Sequence, residues 1–115
     1  MHVVTVRGRK SGKEYSTPFW LLEQGDGWYW VSVFGETNTI KNARAAGHVT
    51  VSRGATRDEV RLVEVPVESR LPLLHEYLAS NTSSMVRTYF ATPTTSDDEL
   101  EALARDHTVF KLEPA

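Results

Sequence analysis

Short runs of alternating apolar and polar residues recur along the chain, and this period of two is typical of half-buried β-strands. The runs are separated by turn residues, of which Gly25-Asp26-Gly27 gives the clearest hairpin signal because these residues tolerate a positive φ. The Thr17-Pro18 pair indicates an edge strand or a bulge. The pattern predicts six strands: His2–Val6, Tyr15–Leu22, Trp28–Phe34, Val49–Ser52, Glu59–Val65 and Thr108–Leu112.

Helical segments interrupt these strands. The stretch GETNTIKNARAAG predicts a short helix that ends at Gly47, and Ser69–Ala79 has an apolar stripe at helical spacing. Ser96 and Glu99 predict a capping box at the start of a last short helix. Residues 80–95 are rich in Ser, Thr and Pro, so we expect a loop there.

Tight hairpins and few crossover segments favour an antiparallel sheet. The bulky side chains on both faces of Trp28–Phe34 suggest that this strand lies inside the sheet. Six antiparallel strands in a chain of 115 residues remove their open edges by curling closed. We therefore expect a mainly β fold, a small antiparallel barrel with two or three short helices, as a single domain over residues 1–115.

Composition excludes several kinds of chemistry. The chain has no cysteine, which excludes disulfides, thiolate metal sites and a cysteine nucleophile. Its four histidines lack metal-ligand spacing, and no Ser/His/Asp arrangement can be placed, so we expect neither a metal site nor a hydrolytic triad. No apolar run approaches membrane-spanning length and no signal peptide is evident, so a cytoplasmic location is the default expectation.

The segment RGRKSGK, residues 7–13, carries four cations, two glycines and no acid. Residues 1–53 hold seven Lys/Arg and four Asp/Glu, a balance of +3, whereas residues 54–115 hold six and eleven, a balance of −5. Glycines let backbone N–H groups converge on a ligand, and the cations attract anions. The spacing matches neither a Walker loop nor a dinucleotide fingerprint. These residues alone leave open both an anion site and a solvated basic hairpin.

The aromatic residues also have two interpretations, one functional and one structural. Trp20, Trp28, Trp30 and Phe34 are suited either to wall a planar ring or to fill the barrel core. Stacked aromatics beside basic residues are also compatible with a small barrel that binds single-stranded nucleic acid. The acidic second half argues against that function, so we expect no nucleic-acid partner.

The order of these motifs resembles the deazaflavin-dependent nitroreductase family, a branch of the flavin/deazaflavin oxidoreductases. The similar segments are VVTVRGRKSGKEYSTP, VSVFGE, IKNARAAGHVTVSRG, VRTYF and HTVFKL, which together run from about His2 to Leu112. The resemblance implies a six-stranded antiparallel split β-barrel with a groove for coenzyme F-420, an 8-hydroxy-5-deazaflavin with a phosphate and oligoglutamate tail. FMN is the alternative cofactor, because related split barrels use it.

The resemblance also implies roles for individual residues. The glycine loop would hold the polyanionic tail, with backbone N–H groups near Gly12, and two strand ends would line the ring. The implied cofactor-binding residues are Arg9, Lys10, Ser11, Gly12, Lys13, Thr17, Pro18, Ser32, Val33, Phe34, Gly35, Lys41 and Asn42. Ser32 and Tyr89 are candidate catalytic residues that donate or orient a proton. For Tyr89, a loop aromatic that covers the core is the competing interpretation.

The implied activity is hydride transfer from the reduced deazaflavin to an electron-poor small molecule, such as an activated alkene, a quinone or a nitroaromatic. A non-catalytic F-420 or FMN carrier on the same fold is the alternative. Many relatives have Trp where this chain has Thr39, Arg where it has Lys41, and a helix before the first strand, so we expect a more open groove. Relatives occur as monomers and dimers, so a monomer or homodimer is expected.

Overall fold

Seven antiparallel strands form one curled sheet in a computed structural model that describes residues 1–25 and 27–115. The strands are β1 His2–Arg7, β2 Glu14–Phe19, β3 Leu22–Gln24, β4 Gly27–Val31, β5 His48–Arg53, β6 Thr56–Glu64 and β7 Val109–Pro114. Their order across the sheet is β2-β1-β5-β6-β7-β4-β3. The predicted mainly β, antiparallel architecture is confirmed. The turn residue Asp26 lies outside the described residues.

The predicted strand count is one too low. The run Tyr15–Leu22 divides at Trp20 and Leu21, so that β2 and β3 are separate and form the two edges of the sheet. An edge position for β2 agrees with the proline in its sequence, because proline cannot donate to a strand ladder. Strand β4 lies between β7 and β3, inside the sheet as expected, but it ends at Val31 rather than Phe34.

Among the described residues, four α-helices and a short 3₁₀ turn complete the fold. They are α1 Asn38–Ala46, the 3₁₀ turn Val67–Ser69, α2 Leu71–Ser80, α3 Ser84–Tyr89 and α4 Asp97–Ala104. Helix α1 ends at Gly47 in the left-handed conformation, with φ of 77°, as the sequence predicts. Helix α4 begins after Ser96, whose Oγ accepts the Glu99 N–H. None of the described helices combines the length and apolar character needed to cross a bilayer.

The prediction of a loop over residues 80–95 is wrong for the part that forms α3. Ser83 caps this helix, since its Oγ accepts the N–H of Val86 at 3.4 Å. The side chain of Val86 is buried in the core. The serines that suggested a loop therefore provide the start of a helix, because Ser is favoured at both positions.

Two apolar clusters lie on opposite faces of the sheet. Inside the barrel, Trp30 and Phe110 fill the centre, and Ile40 of α1 packs against this cluster. On the outer face, Leu74 of α2 and Leu100 of α4 are fully buried in a second cluster. Helix α1 therefore covers one end of the barrel interior, whereas α2, α3 and α4 cover the outside of the sheet.

Candidate functional site

Two adjoining cavities open beside the N-terminal end of α1 and share Thr17 and Thr39 in their walls. One, here called the basic cavity, has a volume of about 550 Å³ and lies between the glycine loop and α1. The other, the apolar cavity, has about 530 Å³ and lies among the ends of β2 and β4, α1, α2 and α3. Both volumes fall within the range of roughly 300–1,000 Å³ that is usual for small-molecule sites.

The basic cavity is suited to bind an anion. Arg9, Lys10 and Ser11 line it, and the described lining residues include no Asp or Glu. The backbone N–H groups of Lys10 and Ser11 make no hydrogen bond to other described residues. Helix α1 points its N-terminal end at the cavity through Asn38 and has no acidic residue in its first turn, so its dipole adds positive potential.

Hydrogen bonds within the glycine loop fix which N–H groups remain available. The Gly8 N–H donates to the Lys13 carbonyl at 2.7 Å, and the Gly12 N–H donates to the Gly8 carbonyl at 3.0 Å. Gly12 has φ of 72°, in the left-handed region that favours glycine. The N–H of Gly12 itself is therefore engaged, whereas the neighbouring N–H groups of Lys10 and Ser11 are available to an anion.

Asn42 fastens the glycine loop to α1. Its Oδ1 accepts the backbone N–H of Arg9 at 3.1 Å and the Arg9 guanidinium Nη1 at 2.6 Å. Asn42 and Arg9, both implied as cofactor-binding residues by the resemblance, therefore lie together in the basic cavity. Gly12, Lys13 and Lys41 are not among the described residues that line either cavity.

The apolar cavity brings together most of the residues expected beside a ring. Thr17, Pro18, Ser32, Val33 and Phe34 all line it. Trp20, Ile40 and Tyr77 add further apolar wall. Phe34 remains 51% exposed at the rim, so a planar ligand has an apolar surface to cover. Gly35, although not a lining residue, stands next to this wall.

Ser32 is held by three hydrogen bonds. Its N–H donates to the Thr108 carbonyl at 2.9 Å, its hydroxyl donates to the Gly35 carbonyl, and its own carbonyl accepts from His107 Nδ1 at 2.7 Å. Burial lowers the pKa of His107, which keeps the imidazole neutral with its proton on Nδ1. The Ser32 hydroxyl proton is thus already donated within the protein, and a substrate would have to displace that bond.

Two tyrosines occupy different places relative to the apolar cavity. Tyr89, the sequence candidate, is 60% exposed, contacts Phe34 with 5.0 Å between ring centroids, and does not line the cavity within the described chain. Tyr77 lines the cavity and is only 3% exposed. Its hydroxyl oxygen accepts from Asn81 Nδ2 at 3.2 Å, and burial raises the pKa of the phenol. Tyr77 therefore stays protonated with its own O–H still available to donate.

Sequence reasoning missed Tyr77 and Asn81. Tyr77 lies in α2, whose leucines indicated only a core stripe, and Asn81 directly follows the last residue of this helix. The one available signal was a Tyr followed four residues later by Asn, which places two polar groups on one helix face. Their position beside the cavity depends on how α2 packs on the sheet, which the local sequence does not reveal.

A charged cluster anchors the loop that forms the cavity wall after β4. Arg44 donates to both carboxylate oxygens of Glu36, at 2.7 and 2.8 Å, and through Nε to Glu64 at 2.7 Å. The Thr108 hydroxyl also donates to Glu36 at 2.6 Å. The Arg44 hydrogen bonds lower the pKa of Glu36 from 4.5 to about 2. The loop is thereby tied to α1, to β6 and to the residue that precedes β7.

Solved structures share this architecture, although no protein-family model and no curated protein sequence matches the chain. A candidate pyridoxamine 5′-phosphate oxidase from Listeria innocua has a TM-score of 0.63 and 16% identity, covering 98% of this chain and 82% of its own. A FAD-binding protein from Mesorhizobium loti has a TM-score of 0.60 and 18% identity over 99% and 80%. An F-420 reductase has a TM-score of 0.54 and 16% identity over 99% and 85%.

This chain has a split β-barrel fold. At identities of 16–18%, the similarity shows only that the backbones are arranged alike. The ligand of this chain must therefore be inferred from its own residues. In this split β-barrel, the edge strands β2 and β3 are not paired with each other within the described residues. The end of β2 contributes Thr17 and Pro18 to the apolar cavity.

The Glu36 cluster predicts an acid-dependent loss of stability. A carboxyl group whose pKa is lower in the folded than in the unfolded state stabilises the fold above its unfolded pKa. We expect this contribution to be present above pH 4.5 and to disappear as the pH falls towards 2. Glu36→Gln should therefore lower the Tm at pH 7 and match wild type near pH 2, as measured by circular dichroism.

The matched control for this prediction is Glu101→Gln, which changes an exposed carboxylate on α4 with no ion pair to the described residues. Its effect on Tm at pH 7 should be small. Because Glu36 and Arg44 are partly exposed, the effect at Glu36 is expected to be modest and reduced by salt. A Tm deficit of Glu36→Gln that stays constant from pH 7 to pH 2 would contradict the assignment.

Proposed function

We propose that this protein is an F-420-dependent oxidoreductase that transfers a hydride from the reduced deazaflavin to an electron-poor small molecule. The observation that carries the proposal is the continuity of a carboxylate-free basic cavity with an aromatic-lined apolar cavity through Thr17 and Thr39. F-420 has the same division, a planar ring at one end and a polyanionic arm at the other. An activated alkene, a quinone or a nitroaromatic is the proposed class of acceptor.

The residues of the basic cavity fit the anionic arm. Lys10 and the available N–H groups of Lys10 and Ser11 provide charged and neutral donors on one side. The N-terminal end of α1 and the cation Arg9 add positive potential on the other. Charge-assisted hydrogen bonds of this kind are roughly twice as strong as neutral ones. An arm with several negative charges uses all of these groups, whereas the single phosphate of FMN uses fewer.

The residues of the apolar cavity fit the ring. Pro18, Ile40 and Trp20 provide apolar surface that excludes water, and Phe34 at the rim can cover an exposed edge. Thr39 stands where the two cavities meet, in the position at which many members of the resembling family have Trp. When bound, a reduced 5-deazaflavin supplies a hydride and resists one-electron chemistry. The protein's task is to bind, to orient and to supply a proton.

Tyr77 is the residue best placed to supply that proton. Its phenol is buried against the cavity, its oxygen is already an acceptor for Asn81, and its proton is not used in another bond to described residues. Ser32, the candidate from motif position, has its hydroxyl proton engaged with Gly35. Ser32 and Tyr89 therefore stay as weaker proposals beside Tyr77.

Neutralising Lys10 tests the assignment of the anionic arm. Lys10→Gln should raise the Kd for F-420 about tenfold, because a hydrogen bond to a charged group contributes about 1.5–3 kcal/mol. Thermal stability of the free protein should hardly change, since Lys10 is exposed. Fluorescence or calorimetric titration measures the Kd.

The matched control is Lys111→Gln, the same change of charge on β7, away from both cavities. Its Kd should remain within about threefold of wild type, given the screening of exposed charges over such separations. Equal weakening by the two substitutions would indicate a nonspecific charge effect and would remove the support for the basic cavity.

A non-catalytic carrier is the second candidate function, and one observation favours it. The only histidine beside the Ser32 wall, among described residues, is His107, whose Nδ1 is bound to the Ser32 carbonyl rather than directed at the cavity. Proton supply thus depends on Tyr77 or on water. Mixing the protein with reduced F-420 and a panel of quinones, enones and nitroaromatics separates the two functions. Catalytic recovery of the deazaflavin absorbance supports the enzyme; tight binding without recovery supports the carrier.

A further inference from the structure

A third cavity, of about 580 Å³, opens at the far end of the barrel interior from α1. Helix α1 leads directly into the His48 end of β5, whereas this cavity lies at the Arg53 end of the same strand. It shares no described lining residue with the basic or the apolar cavity. We call it the distal cavity, and the proposed F-420 function does not use it.

The inner wall of the distal cavity is apolar. It is formed by Leu21, Trp28, Val51, Val60 and Leu112. Trp28 and Leu112 face each other in the β4–β7 register, two pairs further along than the central Trp30 and Phe110 pair and on the same face of the sheet. Because Trp30 and Phe110 fill the middle of the barrel, the space beyond them remains open and apolar.

Polar residues replace apolar ones at the mouth of this cavity. Residues two apart on a strand share a face, so Arg53 continues the inward-facing row of Val49 and Val51, and His2 continues that of Val4 on β1. The His2 ring meets Trp28 edge-on, with 5.0 Å between ring centroids. Both polar residues line the cavity.

Arg53 is a cation without an internal partner. Its guanidinium makes no ion pair or hydrogen bond to any other described residue, whereas those of Arg7, Arg44, Arg61 and Arg70 all pair with carboxylates. On the facing strand β6, Thr56, Asp58 and Glu59 line the other side of the mouth. Asp58 lies opposite the inward-facing Val51, whereas Glu59 lies opposite Thr50 on the other face of the sheet, so Asp58 is the carboxylate on the inner side. Arg53 and Asp58 are not within ion-pair distance of each other. The mouth therefore offers one cationic side and one side that accepts hydrogen bonds.

We propose that the distal cavity binds a small aromatic carboxylate that carries a hydroxyl group. Its ring lies against Trp28 and the aliphatic wall, where apolar surface and a flat indole are both present. Its carboxylate pairs with Arg53, whose planar guanidinium matches a carboxylate with two parallel hydrogen bonds. Its hydroxyl donates to Asp58 across the mouth, which satisfies a carboxylate that would otherwise repel the ligand.

Calorimetric titration of the whole chain with 6-hydroxy-2-naphthoate tests this proposal. Arg53→Gln should raise the Kd about tenfold or more, as expected when a charge-assisted pair is lost. Arg57→Gln is the matched control, because Arg57 lies opposite Ser52 in the β5–β6 register and does not line the distal cavity. The control should leave the Kd within about twofold. In wild type, 2-naphthol, which lacks the carboxylate, should bind at least about tenfold more weakly.

A second variant and a competition distinguish this site from the F-420 groove. Val51→Phe fills the apolar wall and should also weaken naphthoate binding, while its Tm confirms that the variant is folded. Saturating F-420 should leave naphthoate binding unchanged whether or not F-420 itself is turned over. The proposal is overturned by absence of binding at millimolar naphthoate, by an equal Kd in Arg53→Gln and wild type, or by displacement of naphthoate by F-420.

Discussion

Replacing Tyr77 by Phe should lower the rate of reoxidation of reduced F-420 about 100-fold. General acid catalysis contributes roughly 10²–10⁴ in rate, and the substitution removes only the hydroxyl that would supply the proton. The ring remains against Trp20, so the Kd for F-420 should change by no more than about threefold. Loss of the Asn81 hydrogen bond should reduce the free energy of unfolding by about 1 kcal/mol.

The parallel substitution Tyr89→Phe compares the structural candidate with the sequence candidate. Tyr89 is exposed at the rim and its ring packs on Phe34, a contact that Phe at this position preserves. We expect the rate to remain within about twofold of wild type. A large loss in Tyr89→Phe together with an unaffected Tyr77→Phe would reverse the assignment, and would require α3 to close over the apolar cavity during turnover.

Replacing Trp30 by Ala should reduce the free energy of unfolding by about 3–5 kcal/mol, the range for removal of a fully buried large aromatic. Trp30 is fully buried between Phe19 and Phe110, at centroid distances of 5.0 and 5.6 Å. Its Nε1 has no hydrogen-bond partner among the described residues. Trp30→Phe therefore loses no hydrogen bond, and it should reduce the free energy of unfolding clearly less than Trp30→Ala does. Urea denaturation gives both values.

Trp28→Ala is the control for this measurement. Trp28 occupies the same inward-facing row of β4, two residues away, but is partly exposed at the distal cavity. The space left by the Trp28 side chain merges with an existing cavity, so less new void is created. The loss in the free energy of unfolding should therefore be smaller than that of Trp30→Ala. Equal costs at the two positions would show that the barrel centre is not the main source of core stability.

Features determined by nearby residues were predictable from the sequence. The end of α1 follows from Gly47, because only glycine readily adopts φ of 77°, and the start of α4 follows from Ser96. The basic loop at residues 7–13 was identified by composition alone. Its contact with Asn42, 33 residues away from Arg9 in the sequence, was not predicted, because no local pattern indicates it.

Features that depend on packing between distant segments were not predictable in this way. Tyr77 belongs to the cavity because α2 packs on the outer face of the sheet beside the end of β4, which the leucine stripe does not specify. Helix α3 was missed because its Ser-rich start suits a loop equally well, and burial of Val86 decides between them. The break between β2 and β3 at Trp20 likewise reflects the curl of the sheet.

An equilibrium titration that compares F-420 with FMN at low salt tests the central claim most directly. The groove joins an apolar ring site to a basic cavity with Arg9, Lys10 and available backbone donors, so a longer polyanionic arm should gain more from it. We predict tighter binding of F-420 than of FMN, with the Kd for F-420 rising as salt screens the arm. Equal or tighter binding of FMN at low salt would contradict the account.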